Sequence, residues 1–116
     1  MSMKLARIAR IALPLLLLAG LLAAPASAQT PVNLTVTIKD HKFQPAELAA
    51  PANVPIMLRV KNLDAKPMEF ESVSLRVEKV VTPNSEGIIR IRPLAPGRYT
   101  FFDDFNPDTT GVLVVK

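Results

Sequence analysis

Four apolar residues, Val32, Leu34, Val36 and Ile38, alternate without a break with Asn33, Thr35, Thr37 and Lys39. A period of two is the repeat of a strand that keeps one face in a core and one in water. The pattern returns in Val54, Ile56, Leu58 and Val60, with Arg59 and Lys61 facing the other way, and more loosely in Leu75 with Val77. Ile89 with Ile91, Tyr99 with Phe101, and Gly111 to Lys116 complete the set. Pro93-Leu94-Ala95-Pro96-Gly97 and Asn106-Pro107-Asp108 read as the turns between these last strands, and Gly97 as the turn into Arg98-Tyr99. Asn53 suits a turn that needs positive φ. Between the first two strands, Pro45, Pro51 and Pro55 rule out a long helix, so Phe43 to Pro55 is expected to be an irregular edge segment. No window carries helical periodicity. Short strands punctuated by Pro and Gly predict an all-β sandwich of two antiparallel sheets, with Phe43, Phe70, Tyr99 and Phe101 in the core and Arg90 and Arg92 on an exposed face.

The first residues set the expected compartment. Lys4, Arg7 and Arg10 precede an uncharged apolar run from Ile11 to Ala24, followed by Ala26-Ser27-Ala28. This is the pattern of a secretory signal cleaved after Ala28, which divides the chain into a 1–28 signal and a single 29–116 domain. The run is shorter than the roughly 20 residues a bilayer requires, and Pro14 interrupts it. A lipid anchor would need a cysteine after the run, and the chain has none. The expected location is the periplasm. Without cysteines no disulfide can brace the domain, so its stability must come from burial and strand pairing.

The formal charge of +4 belongs mostly to the signal, because three of the fourteen bases lie there and all ten acids lie beyond it. A balance of about +1 in the remainder, with no basic cluster interleaved with aromatics, excludes a nucleic-acid partner. One histidine and no cysteine leave no Ser/His/Asp or Cys/His set to assemble, so a metal-free enzyme of that type is not expected.

Three stretches carry a family resemblance. They are Asp40-His41-Lys42-Phe43-Gln44-Pro45-Ala46-Glu47-Leu48, then Val60-Lys61-Asn62 with Pro67-Met68-Glu69-Phe70-Glu71-Ser72, and last Pro96-Gly97-Arg98-Tyr99-Thr100-Phe101-Phe102-Asp103-Asp104-Phe105. Together they resemble the EfeO-type cupredoxin-like domains, small periplasmic proteins that accompany bacterial ferrous-iron uptake. The resemblance implies a cupredoxin-like Greek-key sandwich, copper or iron as the ion, an iron permease or another periplasmic or inner-membrane protein as partner, and room for a supporting role in Fe(II) oxidation. It also maps the blue-copper positions: the first histidine falls on Met68, the cysteine on Asp103 and the second histidine on Asn106. A blue-copper centre needs two imidazoles and a thiolate. Blue-copper electron transfer is therefore excluded. The histidine that the iron-uptake relatives carry after Phe-x-x-Phe is likewise replaced, by Asn106.

Strand pleating then sorts the candidate ligands. Tyr99, Phe101 and Asp103 share one face, so a core role for the first two turns Asp103 inward, where a carboxylate must be hydrogen-bonded, protonated, solvated or paired with a cation. The plainer role for Asp103 is to accept N–H bonds from a loop. Met68 and Glu69/Glu71 point to opposite faces, and either set could meet Asp103. Met68 would favour copper, Cu(I) above all, whereas Glu69 and Glu71 would favour iron or manganese. Asp104, Asp108 and Asn106 could add oxygens at the same mouth, or simply build a turn. His41, beside Asp40 and Lys42 at a strand end, reads as a solvated turn histidine or as the one nitrogen ligand. A metal-free module that docks on a membrane or periplasmic partner is the alternative function.

Overall fold

A computed structural model describes residues 29–116, and the expected signal and its cleavage after Ala28 lie outside them. Nine strands appear among the described residues: β1 (Val32–Lys39), β2 (Lys42–Gln44), β3 (Glu47–Ala50), β4 (Ile56–Asn62), β5 (Met68–Ser72), β6 (Val77–Val81), β7 (Ser85–Ile91), β8 (Gly97–Asp103) and β9 (Asn106–Val115). They form a four-stranded sheet ordered β2-β1-β4-β7 and a five-stranded sheet ordered β3-β9-β8-β5-β6. No helix among the described residues is long and apolar enough to cross a membrane.

The all-β, two-sheet sandwich is as expected, but each sheet is mixed. β1 runs parallel to β4, and β3 parallel to β9. Alternation specifies which face of a strand is buried and says nothing of its neighbour's direction, so this could not be read in advance. The segment Phe43 to Pro55 is also more regular than expected. It contributes an edge strand to each sheet, β2 and β3, with a cis Gln44–Pro45 bond where the chain crosses between them. Prolines are compatible with edge strands because an outward N–H is not needed there.

Most strands bury alternating residues, whereas the edge strand β6 buries Val81 alone. Val36, Ile38, Leu58, Val60, Ile89 and Ile91 close the core from one side, and Met68, Phe70, Phe101, Leu113 and Val115 from the other. Phe43, Phe70 and Phe101 form its aromatic centre: Phe43 sits edge-on to Phe101 at 4.9 Å, and Phe70 stacks on Phe101 at 4.8 Å. Tyr99 packs at the margin with its hydroxyl donating to the Ala95 carbonyl at 2.7 Å. Leu75 is not in a strand. It is buried in the turn between β5 and β6, where its N–H donates to Ser72 Oγ and Arg92 donates to its carbonyl. Asn53 has the expected positive φ, 62°. Gly97 is itself the first residue of β8, opposite Val115.

The turn placed at Asn106-Pro107-Asp108 lies two residues earlier. Asp103 pairs with Asn106 across a tight Asp104-Phe105 turn, and Pro107, Asp108 and Thr109 bulge out before Phe102 pairs with Thr110. Such a bulge bends the strand end and re-aims side chains at the mouth of the sandwich.

Candidate metal centre

Asp103 is buried at the inner end of β8, with 1% of its surface exposed. Its Oδ1 accepts the Glu69 N–H at 2.9 Å and the Phe105 N–H at 3.0 Å, and its Oδ2 accepts Asn106 Nδ2 at 3.2 Å. Three donors directed at one carboxylate satisfy it in place of a cation. The bond to Glu69 ties β5 to the hairpin tip. The Asp104 N–H returns a bond to the Glu69 carbonyl at 2.9 Å, so the turn is held from both directions.

The two faces of the middle motif separate cleanly. Met68 and Phe70 point into the core, with Met68 only 2% exposed, while Glu69 and Glu71 point outward. Phe70 pairs with Asp103, and Glu71 with Phe102. Met68 thus shares the inner side with Asp103, whereas the two glutamates meet Asp104. Ligand oxygens of Glu69, Glu71 and Asp104 all lie within 4.8 Å of one another. Glu78 on β6 stands directly opposite Glu71. The Glu69 carboxyl is held above its ordinary range, first by partial burial, then by a hydrogen bond shared with Glu78 and by the charges of Glu78, Asp104 and Glu71. Glu71 is raised in the same direction by partial burial, by the charges of Asp104 and Glu78, and by a hydrogen bond with Asp104.

His41 lies apart from both groups. Asp40 and His41 have φ of 52° and 59°, the two positive values of a two-residue hairpin turn between β1 and β2. Asp64 caps that turn, with Oδ1 accepting the Asp40 N–H at 2.6 Å and Oδ2 the His41 N–H at 3.1 Å. The His41 carbonyl accepts Thr109 Oγ1 at 2.7 Å. His41 lines a depression with Asp108 and Thr109 that none of the carboxylates of β5 lines.

One organising residue, Asn62 of the Val60-Lys61-Asn62 stretch, has a role that the motif itself does not reveal. Asn62, fully buried at the end of β4, donates from Nδ2 to the Lys66, Val81 and Thr82 carbonyls and accepts the Asp64 N–H at 3.0 Å. It fixes the loop that leads into Met68. The available signal was its place in the inward register of Ile56, Leu58 and Val60, since a polar residue on a core face must have partners.

Copper at the inner position can be tested on these contacts. Asp103 is saturated by its donors, the Asn106 amide nitrogen points at Asp103, and no buried side-chain nitrogen or oxygen lacks a partner among the described residues. Met68 supplies one thioether with no thiolate or imidazole beside it. The inner residues do not fit a copper ion.

Comparison with known proteins places the chain. The sequence profile of the family described as Cupredoxin-like domain matches residues 11–115. An uncharacterized protein of Rickettsia prowazekii is 41% identical over 86 residues, which cover 73% of this chain and 69% of the relative. Among solved structures, the metal binding domain of the Cu(I) exporting P-type ATPase CopA of Streptococcus pneumoniae, determined with Cu(I), aligns with a TM-score of 0.65 at 16% identity, covering 78% of this chain and 92% of that one. Auracyanin A, a blue copper protein of Chloroflexus aurantiacus, aligns with a TM-score of 0.63 at 16% identity, over 75% of this chain and 100% of that one. At such identity these two structures speak for the fold alone.

Proposed function

This chain belongs to the cupredoxin-like domain family, and on that premise we propose that it handles a divalent metal ion on its outer carboxylate cluster rather than at the inner position. The observation that carries the proposal is the convergence of Glu69, Glu71 and Asp104 oxygens within 4.8 Å on the solvent side of β5. An all-oxygen set suits Fe(II) or Mn(II) and offers nothing to Cu(I), which asks for sulfur. The ion is cargo in this reading. The protein, exported by its basic and apolar leader, would present iron, or copper as Cu(II), to a permease in the inner membrane. The Glu-Phe-Glu-Ser motif and the composition of residues 1–28 support that role.

Anaerobic calorimetric titration with Fe(II), Mn(II), Cu(II) and Cu(I) tests it. Divalent ions should bind, Cu(I) should not, and Glu71→Gln together with Asp104→Asn should remove binding. His41→Ala and Met68→Leu should leave it intact. At 100 times the dissociation constant, the bound ion should raise stability by about 2.7 kcal/mol. No heat with any divalent ion, or binding that survives the double substitution, rejects the site.

A second reading is a metal-free docking module, favoured by the saturation of Asp103, which closes the position onto which the resemblance maps the blue-copper cysteine.

A further inference from the structure

We propose that the outer face of the five-stranded sheet docks a basic polypeptide segment carrying a large apolar side chain two residues from one of its cations. The strand registers put Glu78, Glu71, Phe102 and Thr110 in one row across β6, β5, β8 and β9, all on the solvent side. The row begins with two carboxylates and continues into the Phe102 ring and Thr110. At its acidic end Glu69 and Asp104 add two more carboxylates, and none of the four acids takes part in an ion pair among the described residues. Like charges directly opposite on paired strands destabilise a sheet, and Glu71 opposite Glu78 is such a pair. A cationic neighbour removes that repulsion.

At the other end, Phe102, Pro107, Thr110 and Val112 line a shallow groove of about 640 Å³. Val80 and Phe105, 50% and 48% exposed, flank the acidic end. A metal ion could satisfy the carboxylates but would leave the groove uncovered, and an anionic lipid surface would be repelled. A peptide that crosses the strands satisfies both. Neighbouring strands lie about 4.8 Å apart, so the groove centre is about 7 Å from Glu71, the span of two extended residues. The outer sides of strands β1, β2, β4 and β7 carry Lys39, Lys42, Arg59, Lys61 and Arg90 with Glu86 as their one acid. A basic segment is therefore favoured on the five-stranded sheet, where Arg98 is held by Glu47 at 3.4 Å.

The surface does not depend on a metal ion, and it is tested on the metal-free protein. Two synthetic peptides, one of repeated Lys-Ser-Leu and one of repeated Lys-Ser-Ser, are titrated into the isotope-labelled protein and followed by amide chemical shifts. Shifts are expected on β5, β6, β8 and β9, weakened by salt, with the leucine peptide about tenfold tighter because one apolar side chain enters the groove. Phe102→Ala should abolish that preference while retaining charge-driven binding, and Glu71→Gln with Glu78→Gln should weaken both peptides.

Equal affinity of the two peptides overturns the proposal, as does the absence of shifts or their concentration on the four-stranded sheet. Salt-sensitive self-association of the peptide-free protein would assign the face to a second copy and equally overturn it. Loss of peptide binding leaves the metal titration to be judged by its own result, and the converse holds.

Discussion

Asp103 shows how a single side chain can close a position. With its carboxylate gone, the N–H groups of Glu69 and Phe105 and the Asn106 amide would all lose their acceptor at a part-buried site. Asp103→Ala is expected to lower unfolding free energy by about 2–4 kcal/mol, measured by urea titration, since each lost bond to a charged acceptor costs about 1.5–3 kcal/mol and water recovers only part of it. Metal affinity should persist in the folded fraction of this variant. Gly111 is a second sensitive position. A methyl group there would run into the Phe101 ring and approach the Ala46 carbonyl at 3.1 Å. Gly111→Ala should destabilise by about 1–3 kcal/mol through overpacking, visible as a lower thermal midpoint. Of these two, Asp103 was legible from the pleat of β8. Gly111 was not, because a ring lying across the neighbouring strand leaves no trace in a local pattern.

Strands β5 and β6 carry the pH response. Folded-state values of Glu69 and Glu71 lie above the ordinary carboxylate value of 4.5, so between that value and the raised ones the folded protein binds more protons than the unfolded chain. Stability from these groups is therefore greatest near and below pH 4.5 and is lost as pH rises through the raised values. In metal-free protein, Glu78→Gln should raise the thermal midpoint at neutral pH and flatten its decline with pH. An unchanged pH profile would show that the row of carboxylates is not coupled. Glu-Phe-Glu on an alternating strand already placed two acids on the outer side. That Glu78 stands opposite Glu71, and that a two-residue turn brings in Asp104, are matters of register, and register depends on the partner strand.

Across the described residues most of the strand charge is sorted by sheet, the exceptions on the five-stranded sheet being Lys79 and Arg98, the latter ion-paired with Glu47. Bases occupy the outer side of β1, β2, β4 and β7, where Arg59 pairs with Glu86 at 3.1 Å, while acids gather on β5, β6 and the β8–β9 turn. The near-balanced total conceals this separation. Addition of Cu(II) is expected to give no intense thiolate-to-copper absorption in the visible, because no sulfur donor of that kind exists in the chain. A strong blue colour on titration would contradict the closed inner position.

Alternation and proline spacing by themselves determined an all-β chain, the inward residues of most strands, and the absence of a blue-copper donor set, because these depend on side-chain period and on residue identity alone. Only the tertiary structure decided that each sheet holds a parallel pair, that β2 and β3 form edges, that Asp103 is satisfied by its own hairpin, and that Glu69 and Glu71 meet Asp104 rather than Asp103. The physical reason is one of range. The pleat repeats every two residues and is written locally, whereas strand direction, register and charge neighbours are set by contacts between residues far apart in the chain.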